Sequence, residues 1–322
     1  MKENLAYRNI LEAIKKEIAK VLVGQDAIVD GFLRGILANA HVIVEGVPGI
    51  AKTLCVRALS NAAGCTFSRI QFTVDLLPTD ITGITTYDKE KGFEVVKGPI
   101  FANLVIADEI NRAPPKTQSA LLEAMQEHQT TIGRKTFPMP EPFFVMATQN
   151  PIESAGTYKL PEAQIDRFLF KIIMGYPTEE EEQKVLKTNM TLFRFEEHNL
   201  RAVTEPQELI AMQQHTRNIY MSDKIEKYIV RIVGATRNSK ELGIKTGKYI
   251  EYGCSPRASI GLYIAAKSDA VLHGNDFVTP QNIKNVAFDV MRHRLLLNYE
   301  GQAEGVSPDI IIEEILSKVK VP

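Results

Sequence analysis

The sequence predicts an α/β core, a parallel sheet between layers of helices, followed by an all-α half. Three observations predict it. Short apolar runs, VIV at 42–44, LVIA at 104–107 and FFVMA at 143–147, have the length and composition of buried strands. Segments with helical spacing separate these runs, and strand–helix alternation builds parallel sheets. From Pro177 onward the strand-like runs vanish, and helical patterns separated by caps take over. The expected division is an α/β unit over residues 1–176, N-terminal helices included, and a helical unit over 177–322.

With 322 residues and 44% hydrophobic content, the chain can bury one large or two medium cores. Its net charge of −1 gives no general attraction to nucleic acid or anionic membrane; only a local basic patch could supply one. Cys55, Cys65 and Cys254 form no CxxC pair, and the histidines contain no HExxH. Neither a disulfide framework nor a zinc site is expected. Glu3, Glu12 and Glu17 in the first helical pattern are unlike a secretory or transit peptide, and no apolar run has the length of a membrane span. The expectation is a soluble cytoplasmic protein.

Taken in order, residues 3–20 place Leu5, Ile10, Leu11, Ile14 and Ile18 at helical spacing. Gly24 breaks that helix, and a second runs from Asp26 to about Asn39. The apolar elbow at Val23-Gly24 either walls an adenine ring or is a packing turn. The strand at 42–44 then leads into Gly46-Val-Pro-Gly-Ile-Ala-Lys52-Thr53 and an Ala/Leu-rich helix over 54–63. Strand, glycine loop, Lys-Thr and helix is the order of a phosphate-cradling P-loop. Amides at the helix start and the helix dipole favour an anion there. Lys52 would reach the terminal phosphates and the Thr53 hydroxyl would ligate Mg²⁺. Ala51 stands where the GxxxxGK[ST] pattern has its second glycine; Gly46 and Gly49 remain to supply unusual backbone angles.

Residues 66–72 alternate as a strand, 76–83 read as irregular around Pro78 and Gly83, and 84–98 read as a hairpin or exposed insertion. The buried run 104–107 ends in Asp108-Glu109, about 55 residues after Lys52. Parallel strands deliver functional side chains from their carboxyl ends. There the first carboxylate would hold Mg²⁺, and the second would orient and deprotonate water. Pro114-Pro115 starts a helix carrying Leu121, Leu122 and Met125, and 130–137 reads as a second hairpin turning at Gly133. The run 143–147 ends at Thr148-Gln-Asn150, where Asn150 either meets the γ-phosphate or its attacking water, or simply turns the chain before Pro151. A short helix over 161–167 precedes a strand over 168–173. Between them Arg167 either reaches a neighbour's site in a ring or forms a surface salt bridge with Asp166 or a nearby acid. Thr178, Pro206, Ser222, Ser255-Pro256, Thr279-Pro280 and Pro308 mark the later helix starts, with Arg257 on the first turn after Ser255.

The assembled set resembles an AAA+ ATPase, and its wording resembles the MoxR family. The resembling stretches are VGQ from Val23, GVPGIAKT from Gly46, IQFTVDLLPTDITG from Ile70 and KGPIFANLVIADEINRAPPKTQSALLEAMQE from Lys97. They continue with ATQNPIESAGTYKLPEAQIDRF from Ala147, SPRAS from Ser255 and VTPQNIKNVAFDVMRHRL from Val278. Together they cover most of the chain from residue 21 to about 305. Ala51 is usual in that family; Val74 stands where it often has proline.

The resemblance implies an AAA+ P-loop NTPase core, an αβα parallel sheet with a helix-2 insert at 84–98 and a pre-sensor-1 β-hairpin at 129–137. An all-α lid follows. ATP and Mg²⁺ are the implied cofactors. The implied nucleotide cradle is Val23, Gly24, Gly46, Val47, Pro48, Gly49, Ile50, Ala51, Lys52, Thr53 and Leu54, with Thr53 and Asp108 toward the metal. Lys52 and Thr53 match Walker A, Asp108 and Glu109 Walker B, Asn150 sensor 1, Arg167 the arginine finger and Arg257 sensor 2. Arg112 is a second candidate for the finger. Hexameric rings are implied, with chaperone-like work in the maturation or metal loading of protein clients. A von Willebrand factor A protein commonly assists; this chain has no DxSxS motif, so that partner would be another polypeptide. Two other readings are a nucleic-acid motor or loader, gripping with Arg134 and Lys135, and a magnesium-chelatase-like motor subunit. The near-neutral charge and lack of a basic–aromatic stripe count against the first, and the MoxR-like wording against the second.

Overall fold

The computed structural model describes residues 2–47, 52–150, 157–188 and 195–322. Two helices lead, α1 (Lys2–Ile18) and α2 (Asp26–Leu37). Leu11, Ile14 and Ile18 are buried along α1, as their spacing predicts. The core follows as β1 (Val42–Gly46), α3 (Lys52–Ala62), β2 (Phe67–Gln71) and α4 (Pro78–Thr82). A hairpin of β3 (Gly83–Asp88) and β4 (Gly92–Lys97) leads to β5 (Leu104–Asp108) and α5 (Pro115–Glu127). A second hairpin, β6 (Gln129–Ile132) and β7 (Lys135–Pro138), precedes β8 (Phe144–Gln149), α6 (Glu162–Ile165) and β9 (Phe170–Met174).

Five parallel strands form the central sheet in the order β2-β5-β8-β1-β9. Because all run the same way, their carboxyl ends share one edge. Gly46 is registered with Met174, Glu45 with Gln149, and Gln71 with Asp108. The strand order reverses beside β1, and α/β sheets bind ligands in the crevice at such a reversal.

Strand alternation divides the core between the two faces. Val42 and Val44 join Phe32, Leu33 and Leu59 on one side; Ile43, Val105 and Val145 join Leu121, Leu122 and Met125 on the other. Close packing of α2 on the sheet needs glycine at 35, where a Cβ would lie 2.8 Å from the Phe144 ring and 2.9 Å from Val42.

The C-terminal part holds α7 (Glu179–Thr188), α8 (Pro206–Asn218), α9 (Asp223–Ala235), β10 (Ile250–Tyr252) and α10 (Pro256–Leu272). It ends with α11 (Pro280–Met291), β11 (Leu296–Leu297), α12 (Tyr299–Ala303) and α13 (Pro308–Lys318). The centre is α10, which packs on α1, α2, α8, α9 and α11. Residues 265–272 of α10 are all buried, including Asp269, which pairs with Arg34 of α2 at 2.7 Å. The lid is therefore welded to the N-terminal helices by a buried charge pair as well as by apolar packing.

Two local expectations need correction. Residues 76–83 contain one helical turn, α4, whose start is capped by Asp80 Oδ2 accepting from the Leu77 amide at 2.9 Å. The C-terminal half is not purely helical: β10 and β11 pair as an antiparallel ribbon. Strands of three and two residues are too short to show a period. No described helix is long and apolar enough to cross a membrane.

Candidate functional site

The carboxyl edge of the sheet gathers most of the residues singled out in the sequence. Pro48, Gly49, Ile50 and Ala51 lie outside the described residues. On either side of them, Gly46 ends β1 and Lys52 opens α3. The Lys52 ammonium folds back to donate to the Gly46 carbonyl. Burial pushes its pKa below the usual lysine value, while Asp108, Glu109 and Glu45 pull it back up. A half-buried cation thus faces three carboxylates. Thr53 and Leu54 follow on the first turn of α3, half-buried. The unpaired amides of such a turn, together with the helix dipole, suit an anion.

Asp108 and Glu109 share one hydroxyl. Thr148 of β8 donates to Asp108 Oδ1 at 2.7 Å and accepts from the Glu109 amide at 2.7 Å. That amide belongs to a left-handed residue, with φ 56° and ψ 51°, a conformation that costs a non-glycine residue about 1–2 kcal/mol. The Thr148 bond helps to offset that cost and fixes the bend after β5. Glu109 Oε2 accepts from Gln71 at 3.0 Å and from Arg112 at 3.0 Å. Asp108 Oδ2 accepts from Arg69 Nη2 at 2.6 Å, and the same nitrogen donates to Gln71 at 2.7 Å. The result is one hydrogen-bonded chain from Arg112 through Glu109, Gln71, Arg69 and Asp108 to Thr148.

Asn150 is buried at the end of β8, one residue beyond the Gln149–Glu45 register pair. The Val23-Gly24 elbow also belongs to this edge. Gly24 has φ +72°, and a Cβ there would lie 2.2 Å from the Glu181 carboxyl carbon of α7. That helix follows β9, whose last residue, Met174, is registered with Gly46. The elbow therefore packs against the start of the helix that leaves the carboxyl end of β9.

Arg167 and Arg257 lie elsewhere. Arg167 precedes β9, on the amino edge of the sheet, where the Leu169 amide bonds the His41 carbonyl at 2.9 Å. It is exposed and donates to the Leu122 carbonyl of α5 at 3.2 Å. Arg257 pairs with Asp166, its Nη1 3.2 Å from Oδ2, and is largely exposed. A five-residue strand spans about 16 Å, so within one chain neither arginine shares the edge that holds Lys52 and Asp108. The surface pair of Arg167 with Asp166 is not formed; Asp166 instead takes Arg257 and Arg294. Arg112, the other candidate finger, is paired with its own chain's Glu109.

The sequence reading missed Arg69, Gln71 and Thr148. Arg69 and Gln71 stand two apart on β2 and so share a face. Their value emerges only when β2 is placed beside β5 with Gln71 opposite Asp108.

The donor set fits Mg²⁺. It offers hard oxygens, the Thr53 hydroxyl and the Asp108 carboxylate, and contains no sulfur or imidazole. No group of three or more His, Cys, Asp or Glu among the described residues could cage a metal alone. Mg²⁺ needs no such cage: it keeps several waters and takes one or two carboxylates plus substrate phosphates. Asp108, already bonded to Thr148 and Arg69, suits contact through the ion's water shell.

These features define a P-loop nucleotide-binding core with a helical lid, and comparison with known proteins places it further. Residues 41–170 match the family described as "ATPase family associated with various cellular activities (AAA)", and residues 245–315 match the AAA lid domain. The chain is 47% identical to Chaperone MoxR1 of Mycobacterium tuberculosis over 322 residues, covering 97% of this chain and 82% of that protein. It is 30% identical to Protein MoxR of Methylorubrum extorquens, covering 95% and 93%. A solved structure from Cytophaga hutchinsonii, reported as a candidate ATPase, superposes with TM-score 0.92 at 45% identity, over 100% of this chain and 97% of that one. The chain belongs to the MoxR family of AAA+ ATPases.

Proposed function

We propose that this protein is a Mg²⁺-dependent ATP hydrolase that works as a head-to-tail ring of six subunits, the number the resemblance implies, and remodels protein clients. The observation that carries the reading is the division of polar and charged groups between the two sheet edges. Lys52, Thr53, Asp108, Glu109 and Asn150 belong to one edge, and the exposed Arg167 and Arg257 to the other. A head-to-tail contact lays one edge against the other, and repetition of that contact closes a ring.

Each residue then has a task. Amides at the start of α3 and the Lys52 ammonium bind the phosphates. Thr53 and Asp108 hold the metal, which when bound neutralises phosphate charge. Glu109 orients the attacking water and takes its proton, and Asn150 fixes the water or the γ-phosphate. Val23 and Gly24 wall the base. Arg167 and Arg257 of the next subunit stabilise the charge that develops on the transferred phosphoryl group. We take residues 1–176 as the core and 177–322 as the lid.

Two observations support a protein client. One relative carries the name chaperone. The β3–β4 hairpin holds Ile84, Tyr87, Phe93 and Val96 exposed, with the Tyr87 and Phe93 rings 5.2 Å apart. Single-stranded nucleic acid would call for a basic groove beside such rings. A separate von Willebrand factor A protein remains the partner class implied by the resemblance, and the cytoplasm the expected location.

The test is a trap. Glu109→Gln should bind ATP, turn it over at least about a hundredfold more slowly, and retain a client protein on affinity capture in ATP but not in ADP. Wild-type turnover in that variant would remove Glu109 from the role of base. Equal capture in both nucleotides would remove the ATP-gated client.

A further inference from the structure

We infer that Asp166 is a positioning residue that joins Arg167 and Arg257 into one unit offered to the neighbouring subunit, with Arg294 as its buried strut. This rests on the ring reading above.

Arg294 follows α11, and its side chain is 5% exposed. All five of its N–H groups are used. Nε donates to Asp166 Oδ1 at 2.6 Å; Nη2 donates to the Asp166 carbonyl at 3.3 Å and the Phe168 carbonyl at 2.8 Å. Nη1 donates to the Leu169 carbonyl at 3.1 Å and to the Val290 carbonyl. An arginine has five donors in a fixed fork, so the arrangement is saturated and rigid. Four of the five bonds go to residues 166–169, the segment that carries Arg167. His293 adds a contact from its Nε2 to the Phe168 carbonyl at 3.1 Å. The lid thus grips the backbone on which Arg167 is mounted.

Asp166 divides its carboxylate. Oδ1 faces the buried Arg294, and Oδ2 takes the exposed Arg257 from the first turn of α10. The lid arginine is therefore tied to the residue that immediately precedes Arg167 in the chain. Exposed ion pairs contribute little to stability, so the Arg257–Asp166 contact has small value as a brace. Its value lies in geometry: it fixes where Arg257 stands relative to Arg167. Lid rotation in one subunit would then move both arginines at its neighbour's phosphates.

Asp166→Asn tests this, because asparagine keeps an oxygen for Arg294 and loses the charge that holds Arg257. The variant should bind a fluorescent ATP analogue within about twofold of wild type, since its own Lys52 edge is intact. Its kcat should fall about tenfold or more with KM little changed. Mixing it one-to-one with Lys52→Ala subunits should restore turnover, up to about a quarter of the interfaces by random assembly, because each such interface pairs an intact Lys52 edge with an intact arginine edge. In an Arg257→Ala background, Asp166→Asn should cost no more than about twofold further, the non-additivity of residues acting as one unit. A purely structural role would give a lowered melting temperature, weaker ATP binding and no rescue. Should Asp166→Asn fail to fold, Arg257→Ala replaces an exposed side chain and must show the same rescue by Lys52→Ala. Normal turnover by Asp166→Asn, or its loss without rescue where Arg167→Ala is rescued, overturns the inference and leaves the ring reading standing; normal turnover by Arg257→Ala overturns the inference and removes Arg257 from the proposed site. Absence of ATP turnover in the wild type overturns the proposed function and this inference with it.

Discussion

Thr148 shows how one hydroxyl can organise two carboxylates. Its proton goes to Asp108 and its lone pair to the strained Glu109 amide. Thr148→Val keeps the shape and leaves both partners unsatisfied, which should cost about 1–3 kcal/mol in urea unfolding and lower ATP turnover while the P-loop lysine remains. Stability and turnover equal to wild type would show the hydroxyl to be dispensable. Lys52, Asp108 and Glu109 were legible because their chemistry is written in consecutive residues. Thr148, Gln71 and Arg69 were not, because their contribution depends on which strands become neighbours. His41 was passed over for the same reason. Its Nδ1 accepts the Val145 amide at 3.1 Å and its Nε2 faces the Met125 carbonyl at 3.0 Å, so the ring is neutral with the proton on Nε2. Burial, with His128 nearby, drives its pKa down to about 4. The folded state therefore binds a proton less readily than the unfolded chain, whose histidine titrates near the ordinary value of about 6.5. Stability should be full above that value and fall with acidification down to about pH 4. The loss between pH 7.5 and pH 5 should be about 2 kcal/mol. Urea unfolding at the two pH values measures it, and His41→Gln should flatten the slope. An unchanged slope in that variant would assign the acid sensitivity to other groups, such as the buried His293.

Among the elements, legibility followed burial. Strands β1, β5 and β8 are covered on both faces, so they read as continuous apolar runs. The two hairpins read through their turns. The ribbon of β10 and β11 and the single turn of α4 left no trace, since neither is long enough to impose a period on its side chains. The Val23-Gly24 elbow lies between these cases. The sequence left open whether it walls a base or merely turns the chain, and the structure adds its neighbour, α7, through Glu181. That glycine carries two constraints at once, a positive φ and a carboxylate where its Cβ would be. Gly24→Ala should therefore cost about 1 kcal/mol or more in stability, chiefly through its positive φ, and swing the Glu181 side chain away from the elbow. If the elbow contacts the base, affinity for ATP should fall several-fold while affinity for inorganic triphosphate, which lacks a base, stays unchanged. Equal loss for both ligands would return the elbow to the role of a packing turn.

At the scale of the whole molecule, the five-strand sheet separates the Lys52 and Asp108 edge from the Arg167 edge by the length of a strand. The chain order could not display this, because Arg167 lies near Asn150 in sequence and yet ends at the opposite edge. Topology is the cause: the path from the carboxyl end of β8 to the amino end of β9 must cross the sheet, and Arg167 rides on the far end of that crossing. The lid goes with it. Buried Asp269 on α10 is held by Arg34 of α2, with Asn282 at 2.8 Å and Asn285 at 3.0 Å satisfying its other oxygen. Removing one partner from a buried pair of this kind costs about 3–5 kcal/mol. Arg34→Ala should accordingly loosen the lid, seen as faster amide exchange in α10 than in β5. The same separation makes a prediction about assembly. Arg167→Ala and Lys52→Ala are each expected to be inactive alone, the first still binding ATP and the second not. Mixed, they should regain turnover, because some interfaces then join an intact Lys52 edge to an intact Arg167 edge. Dilution below the assembly concentration should abolish the regained activity together with the wild-type activity, since a lone subunit holds its two half-sites too far apart to use them. Turnover per subunit that is independent of concentration, with no recovery on mixing, would mean that each chain completes its own site and that Arg167 serves another purpose.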